Sequence, residues 1–124
     1  MVRKGGFLVK SSRNNAILFA KILEEKKAKD TIILDIKKIS IIADYFIIST
    51  TQSTTHCKTL INTINKKVKE YNIKKNLNYE GNEYTGWVLI DCGDIIIHLF
   101  SEEKRSYYHL EQLWQEAKKI TSWK

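Results

Sequence analysis

The stretch Gly86-Trp87-Val88-Leu89-Ile90-Asp91-Cys92-Gly93-Asp94-Ile95-Ile96-Ile97-His98-Leu99-Phe100 constrains the fold more than any other part of the chain. Two β-branched runs, Trp87 to Asp91 and Asp94 to Phe100, flank Cys92-Gly93, which predicts an antiparallel hairpin closed by a two-residue turn. In that register Asp91 faces Asp94, Leu89 faces Ile96 and Trp87 faces His98, and alternation puts all six side chains on one face. Val88, Ile90, Ile95, Ile97 and Leu99 take the other face, which reads as core. The first face combines an indole, an imidazole and two carboxylates, and like charges opposite one another weaken a ladder. A fold alone does not call for that pair, although two Asp residues flanking an exposed turn are also common turn chemistry.

Charge sets this stretch apart from the rest. The 124-residue chain is +7 at neutral pH, yet between Asn76 and Glu103 it has no Lys or Arg and six acids: Glu80, Glu83, Asp91, Asp94, Glu102 and Glu103. That window is −6, which leaves +13 for the remainder. An acidic, aromatic island in a basic protein suits a basic partner, while the other surfaces suit a nearby polyanion. Dispersed lysines in an Ile-, Lys- and Asn-rich chain are equally a solvated face.

Around the hairpin, residues 1–13 read as a loose polar arm and 119–124 as a tail, with one domain over 14–118. Helical spacing of Ala16, Phe19, Ala20 and Leu23 predicts a helix from about Asn15 to Ala28. Strands follow over Thr31 to Ile36 and within Ile39 to Thr50, where Tyr45-Phe46-Ile47-Ile48 is too apolar for an exposed edge. Ser53 caps a long helix through Glu70 that buries Cys57, Ile61, Ile64, Val68 and Tyr71. Lys74 to Glu83 reads as loop with room for a short strand. A last helix runs from about Glu103 to Lys118, with Tyr107, Leu110, Leu113, Trp114 and Ala117 on its buried stripe and Glu102 and Glu103 at its start. The sum is a single α/β domain, a mixed sheet with helices packed on it.

The chemistry motifs are few. Cys57 and Cys92 form no CxxC pair, so neither a disulfide framework nor a zinc site is indicated. No apolar run approaches the roughly 20 residues of a membrane helix, and the start Met1-Val2-Arg3-Lys4-Gly5-Gly6-Phe7 lacks a secretory signal pattern. A cytoplasmic protein without membrane contact is the expectation; a basic start free of acids before Glu24 also fits a short organellar leader. There is no glycine-rich phosphate loop, GxSxG or HExxH. Two other classes remain in view. One is a minimal metal-dependent nucleotidyltransferase, with Asp44, Asp91 and Asp94 holding Mg²⁺ if they converge. The other is a stand-alone RNA-binding module that stacks bases on Tyr45, Phe46 or Trp87. His98 beside Trp87 is better read as a packed ring than as a base.

Three ordered blocks carry a resemblance over about Asn15 to Ala117. They are Asp44-Tyr45-Phe46-Ile47-Ile48 with Ser53 and His56; Trp87-Val88-Leu89-Ile90-Asp91 with Gly93-Asp94 through Phe100; and Arg105 with Tyr107-Tyr108, Leu110-Glu111 and Leu113-Trp114. The chain resembles the Iojap-type ribosomal silencing factors. That resemblance implies an α/β domain of distant nucleotidyltransferase-like topology, without catalysis, cofactor or metal. It implies binding to large-subunit ribosomal protein fourteen at the intersubunit face, which sterically blocks subunit joining and represses translation, with ribosomal RNA nearby. The partner contacts it implies are Asp44, Tyr45, Phe46, Trp87, Asp91, Asp94, His98, Arg105, Tyr107 and Tyr108; a homodimer of the free chain is compatible with it. Two positions depart from the family pattern: Thr51 replaces a common Gly before the long helix, and Cys92 a common aromatic.

Overall fold

The computed structural model describes residues 11–71, 78–108, 112 and 115–123. Its elements in order are α1 (Ser12–Glu25), β1 (Lys29–Asp35), β2 (Tyr45–Thr51), α2 (Thr54–Glu70), β3 (Asn78–Glu80), β4 (Trp87–Asp91), β5 (Ile95–Ser101), α3 (Glu102–Tyr108) and β6 (Lys118–Ile120). The strands form one six-stranded mixed sheet in the order β3-β4-β5-β2-β1-β6. The central β2–β5 pair is parallel, and every other pairing is antiparallel.

Alternation along the strands divides the interior into two layers. On one face Ile33, Tyr45, Ile47, Val88, Ile90, Ile95, Ile97 and Leu99 pack under α1 and α2, against Phe19, Leu23, Leu60, Ile64 and Val68. On the other, Leu34, Ile36, Ala43, Phe46, Ile48 and Phe100 form a second cluster, with Ile32, Trp87, Ile96 and Ala117 half-buried around it. The division of the hairpin predicted from its pattern is therefore observed, as are the span of the long helix and its Ser53 cap, whose Oγ accepts from the His56 N–H at 3.0 Å.

The hairpin register differs from the expected one. Asp91 pairs with Ile96, Leu89 with His98 and Trp87 with Phe100, a shift of two residues that preserves the faces but removes Asp94 from the ladder. The cause is glycine. A primed two-residue turn needs φ > 0 at its first central position, and centring it on Cys92-Gly93 would force that angle on a residue with a side chain. Instead the Cys92 N–H donates to the Ile95 carbonyl at 2.9 Å, and Gly93, at φ +88°, takes the first central position with Asp94 beside it. The Asp91 carboxylate accepts from the Gly93 N–H at 2.9 Å, so the acids share a turn without facing across strands.

Other boundaries moved for local reasons. α1 starts at Ser12 because the Ser11 hydroxyl caps it. It stops at Glu25, before Ala28, because Lys27 enters the left-handed region at φ +73° and the Ala28 N–H bonds back to the Leu23 carbonyl at 2.9 Å. The expected helix through Lys118 gives way at its end to β6, where Lys118 pairs with Asp35 and Ile120 with Ile33. Trp123 beyond it is buried, so residues 119–123 hold more structure than a tail. Leu110, Leu113 and Trp114 of the predicted stripe, and the arm over residues 1–10, lie outside the described residues.

Candidate functional site

On the second sheet face, the face away from α1 and α2, register rather than chain proximity assembles the aromatic cluster. His98 sits opposite Leu89 on one side and beside Ile48 in the parallel pair on the other. The Trp87 indole stacks on Phe100 at 4.9 Å between centroids and donates its Nε1–H to His98 Nδ1 at 3.2 Å. The Phe46 ring meets the imidazole edge-on at 4.7 Å. His98 is only 3% exposed, and burial pushes its pKa down to about 4. With Nδ1 serving as acceptor, the neutral ring carries its proton on Nε2, which has no hydrogen-bond partner among the described residues. His98 is thus a neutral support for Trp87, not a surface contact, and the same burial keeps Phe46 behind the face rather than on it.

Toward the β3 edge the face opens and becomes acidic. Asn78 pairs with Asp91 and Glu80 with Leu89, so their side chains project to the same side as Trp87 and Ile96. Together with Tyr79 they line an open groove of about 500 Å³. Its charge comes from the Glu80 and Asp91 carboxylates with an apolar Leu89 between them. Glu80 is not among the contacts that the resemblance implies, and its three-residue strand is too short for alternation to be read from the sequence.

Four of the remaining predicted contacts, Tyr45, Asp44, Asp94 and Arg105, lie elsewhere in the fold. Tyr45 alternates with Phe46, so its ring is buried on the helix side, and its hydroxyl accepts from Lys37 Nζ at 2.7 Å. That bond, and then the one to Asp35, hold the ammonium above the usual lysine range. Asp44 and Asp94 lie at the end of the sheet: the Asp44 carboxylate accepts from the Ser12 hydroxyl at 2.9 Å, and its N–H donates to the Asp94 carbonyl at 2.7 Å. Arg105 is at the opposite end, where its guanidinium donates to the Asp30 carbonyl at 2.6 Å and to Thr50 Oγ1 at 2.9 Å. It braces α3 against the irregularity in β1, where Asp30 has φ +52°. Tyr107 and Tyr108 fall in α3, their side chains outside the description.

Nothing in the described residues assembles the enzymatic alternative. No group of three or more His, Cys, Asp and Glu side chains among them is placed to hold a metal ion, and the Asp44 and Asp91 carboxylates accept from different groups, the Ser12 hydroxyl and the Gly93 N–H. A second cavity, of about 320 Å³, lies at the carboxyl ends of β2 and β5 beside Thr51, Ser53, Cys57, Glu83 and Glu102. Burial, and then the nearby Glu83, push the Cys57 thiol up to about 11, which keeps it protonated near neutral pH. Thr51, the departure from the family glycine, continues β2 in register with Ser101, its hydroxyl donating to the Phe100 carbonyl at 3.4 Å. Cys92 is simply buried. His56 is a strap: its Nδ1 accepts from the Gln52 N–H at 2.9 Å and its Nε2 meets the Lys26 carbonyl at 2.7 Å. Among the described residues, no helix is long and apolar enough to cross a membrane.

The chain is thus a mixed α/β domain whose second sheet face carries an indole beside two carboxylates. The model of the family described as "Ribosomal silencing factor during starvation" matches residues 9–124, and the chain belongs to that family. A relative from Halalkalibacterium halodurans, "Ribosomal silencing factor RsfS", is 40% identical over 96 residues, covering 77% of this chain and 80% of its own length. The mouse protein "Mitochondrial assembly of ribosomal large subunit protein 1" is 27% identical over 99 residues, 78% of this chain and 43% of that protein. A crystal structure from Chromobacterium violaceum superposes with a TM-score of 0.78 at 32% identity, covering 90% of this chain and 91% of that one.

Proposed function

We propose that this protein binds the large ribosomal subunit through ribosomal protein fourteen and blocks subunit joining by occupying the intersubunit face. The observation that carries this reading is the open part of the second sheet face, where Glu80 and Asp91 flank Leu89 beside the half-buried Trp87 in an otherwise strongly basic chain. A small basic protein set in RNA is the complementary surface: its Lys and Arg meet the acidic face, and the +13 remainder tolerates the phosphate around it. The relatives' names point the same way, one to ribosomal silencing and another to assembly of the large subunit. The mechanism is occlusion, without catalysis or cofactor. A domain of this length has a radius of gyration of roughly 14 Å, so when bound at that face it fills space that the other subunit must occupy.

The test is a subunit-joining assay with purified small and large subunits, read by sedimentation, with and without the protein. Fewer joined ribosomes, and co-sedimentation of the protein with large subunits alone, are expected. Normal joining at saturating protein would overturn the proposal, and so would co-sedimentation with small subunits only.

A further inference from the structure

The connection from β1 to β2 exposes apolar surface that the fold does not use. Ile41 is 103% exposed, Ile42 64% and Ile39 39%, in a loop whose Ala43 is buried. Exposed isoleucines scattered over a surface need no explanation, but three within four residues on one tip form a patch.

The tip is also held in shape. The Ile39 and Ser40 N–H groups both donate to the Ile36 carbonyl, the Ile42 N–H donates to Ser40 Oγ at 3.2 Å, and the Ile36 N–H closes the loop on the Asp44 carbonyl at 2.9 Å. An ordered backbone that displays apolar side chains to water loses little conformational freedom on docking.

Topology fixes the neighbours. Because β2 and β5 run parallel, this loop and the Gly93-Asp94 turn stand at the same end of the sheet, joined by the Asp44 N–H bond to the Asp94 carbonyl. The exposed Asp94 and half-buried Asp91 lie on one side of the apolar tip. On the other side Lys37 is tied to Asp35 and Tyr45.

We infer that Ile41 and Ile42 form an apolar anchor that seats in a recess of a basic protein surface, with Asp94 as its flanking charge. This extends the contact around the end of the sheet from the Glu80–Asp91 face, and it rests on the ribosomal reading above. An anionic lipid surface is the poorer occupant, because the loop and turn at this end of the sheet, residues 35–44 and 91–94, carry four acids, Asp35, Asp44, Asp91 and Asp94, against two lysines, Lys37 and Lys38.

The experiment compares wild type with the double variant I41S/I42S for binding to purified large subunits, alongside thermal melts. Both side chains are solvent-exposed, so the melting temperature is expected to hold while affinity falls at least tenfold. Wild-type affinity in a folded I41S/I42S variant overturns the inference and leaves the ribosomal reading standing. Failure of the wild-type chain itself to bind large subunits overturns both. The same pair is tested on phosphatidylglycerol vesicles and by sedimentation equilibrium without ribosomes. Vesicle binding, or self-association, that the double variant abolishes would assign the tip to lipid or to a second copy and overturn the protein-anchor assignment.

Discussion

Trp87 donates its indole N–H to Nδ1 of His98 at 3.2 Å, and this bond joins the edge of the candidate face to its buried centre. It also makes the ring a poor proton acceptor, since the atom that would take a proton is already facing a donor. Burial holds the folded pKa near 4, against 6.5 for the free side chain.

The sign of the pH dependence follows. Between those values the unfolded chain binds a proton that the folded chain does not, so stability is fully present above about pH 6.5 and falls as pH drops toward 4. Urea unfolding at pH 7 and pH 5 should differ by about 2 kcal/mol through this group, at 1.36 kcal/mol per pKa unit. The variant His98→Leu should be less stable at pH 7 and show a shallower loss. An unchanged pH slope in His98→Leu would assign the acid sensitivity to other groups.

Gly93 tests the turn. A Cβ there would meet nothing within 4 Å, so the demand for glycine comes from its φ of +88° alone. Gly93→Ala should cost about 1 to 2 kcal/mol, the penalty of a left-handed backbone with a side chain, and Gly93→Asn less. Thermal melts of both variants measure this. Equal stability of Gly93→Ala and wild type would mean that the turn does not depend on the left-handed angle at this position.

How far the sequence spoke for the structure depended on the kind of signal. Period-two alternation placed Val88, Ile90, Ile95, Ile97 and Leu99 under the helices, because burial of a whole face enforces it. The register could not be read the same way: a two-residue slip leaves every side chain on its own face, and only the backbone angle at Gly93 separates the alternatives. Tyr45 and Phe46, grouped as one contact because they are neighbours in the chain, point to opposite faces for the very reason that made β2 recognisable. β6 carries no pattern over Lys118–Ile120; its pairing with β1 depends on backbone hydrogen bonds that any sequence can make. The acidic groove combines two strands, so Glu80 became visible only once Asn78 was seen to pair with Asp91.

Arg105 separates support from contact. Its guanidinium spans the Asp30 carbonyl and Thr50 Oγ1, two acceptors that a single ammonium does not bridge in the same way. Arg105→Ala should destabilise by about 1 to 3 kcal/mol, the cost of leaving partly buried polar groups unpaired, and Arg105→Lys should recover only part of it. Binding to large subunits, corrected for the folded fraction, should be unchanged. A large loss of affinity in folded Arg105→Ala would return this residue to the partner surface.

The acidic face is tested by charge reversal. Glu80 is exposed on a three-residue edge strand, where a lysine disturbs no packing, and it projects into the same groove as Asp91. Glu80→Lys places a repulsive charge against a basic partner, so affinity for large subunits should fall at least tenfold, which corresponds to about 1.4 kcal/mol. The loss should be greatest at low salt, because the Debye length of about 10 Å at 0.1 M shrinks to about 3 Å at 1 M. Asp91→Lys is the less clean variant, since the Asp91 carboxylate also holds the Gly93 N–H, and its melt should drop along with its binding. Trp87→Ala should weaken binding by at least about 2 kcal/mol as a partly exposed aromatic anchor does, again with a stability cost from the stacking on Phe100. The control is Lys66→Glu on the solvent side of α2, across the sheet from the groove, which changes net charge by the same amount in the other direction. If the contact were a long-range effect of net charge, Glu80→Lys would raise affinity for an RNA-rich particle and Lys66→Glu would lower it. A local contact requires the opposite: Glu80→Lys binds weakly, Lys66→Glu binds nearly as wild type, and only the first restores subunit joining.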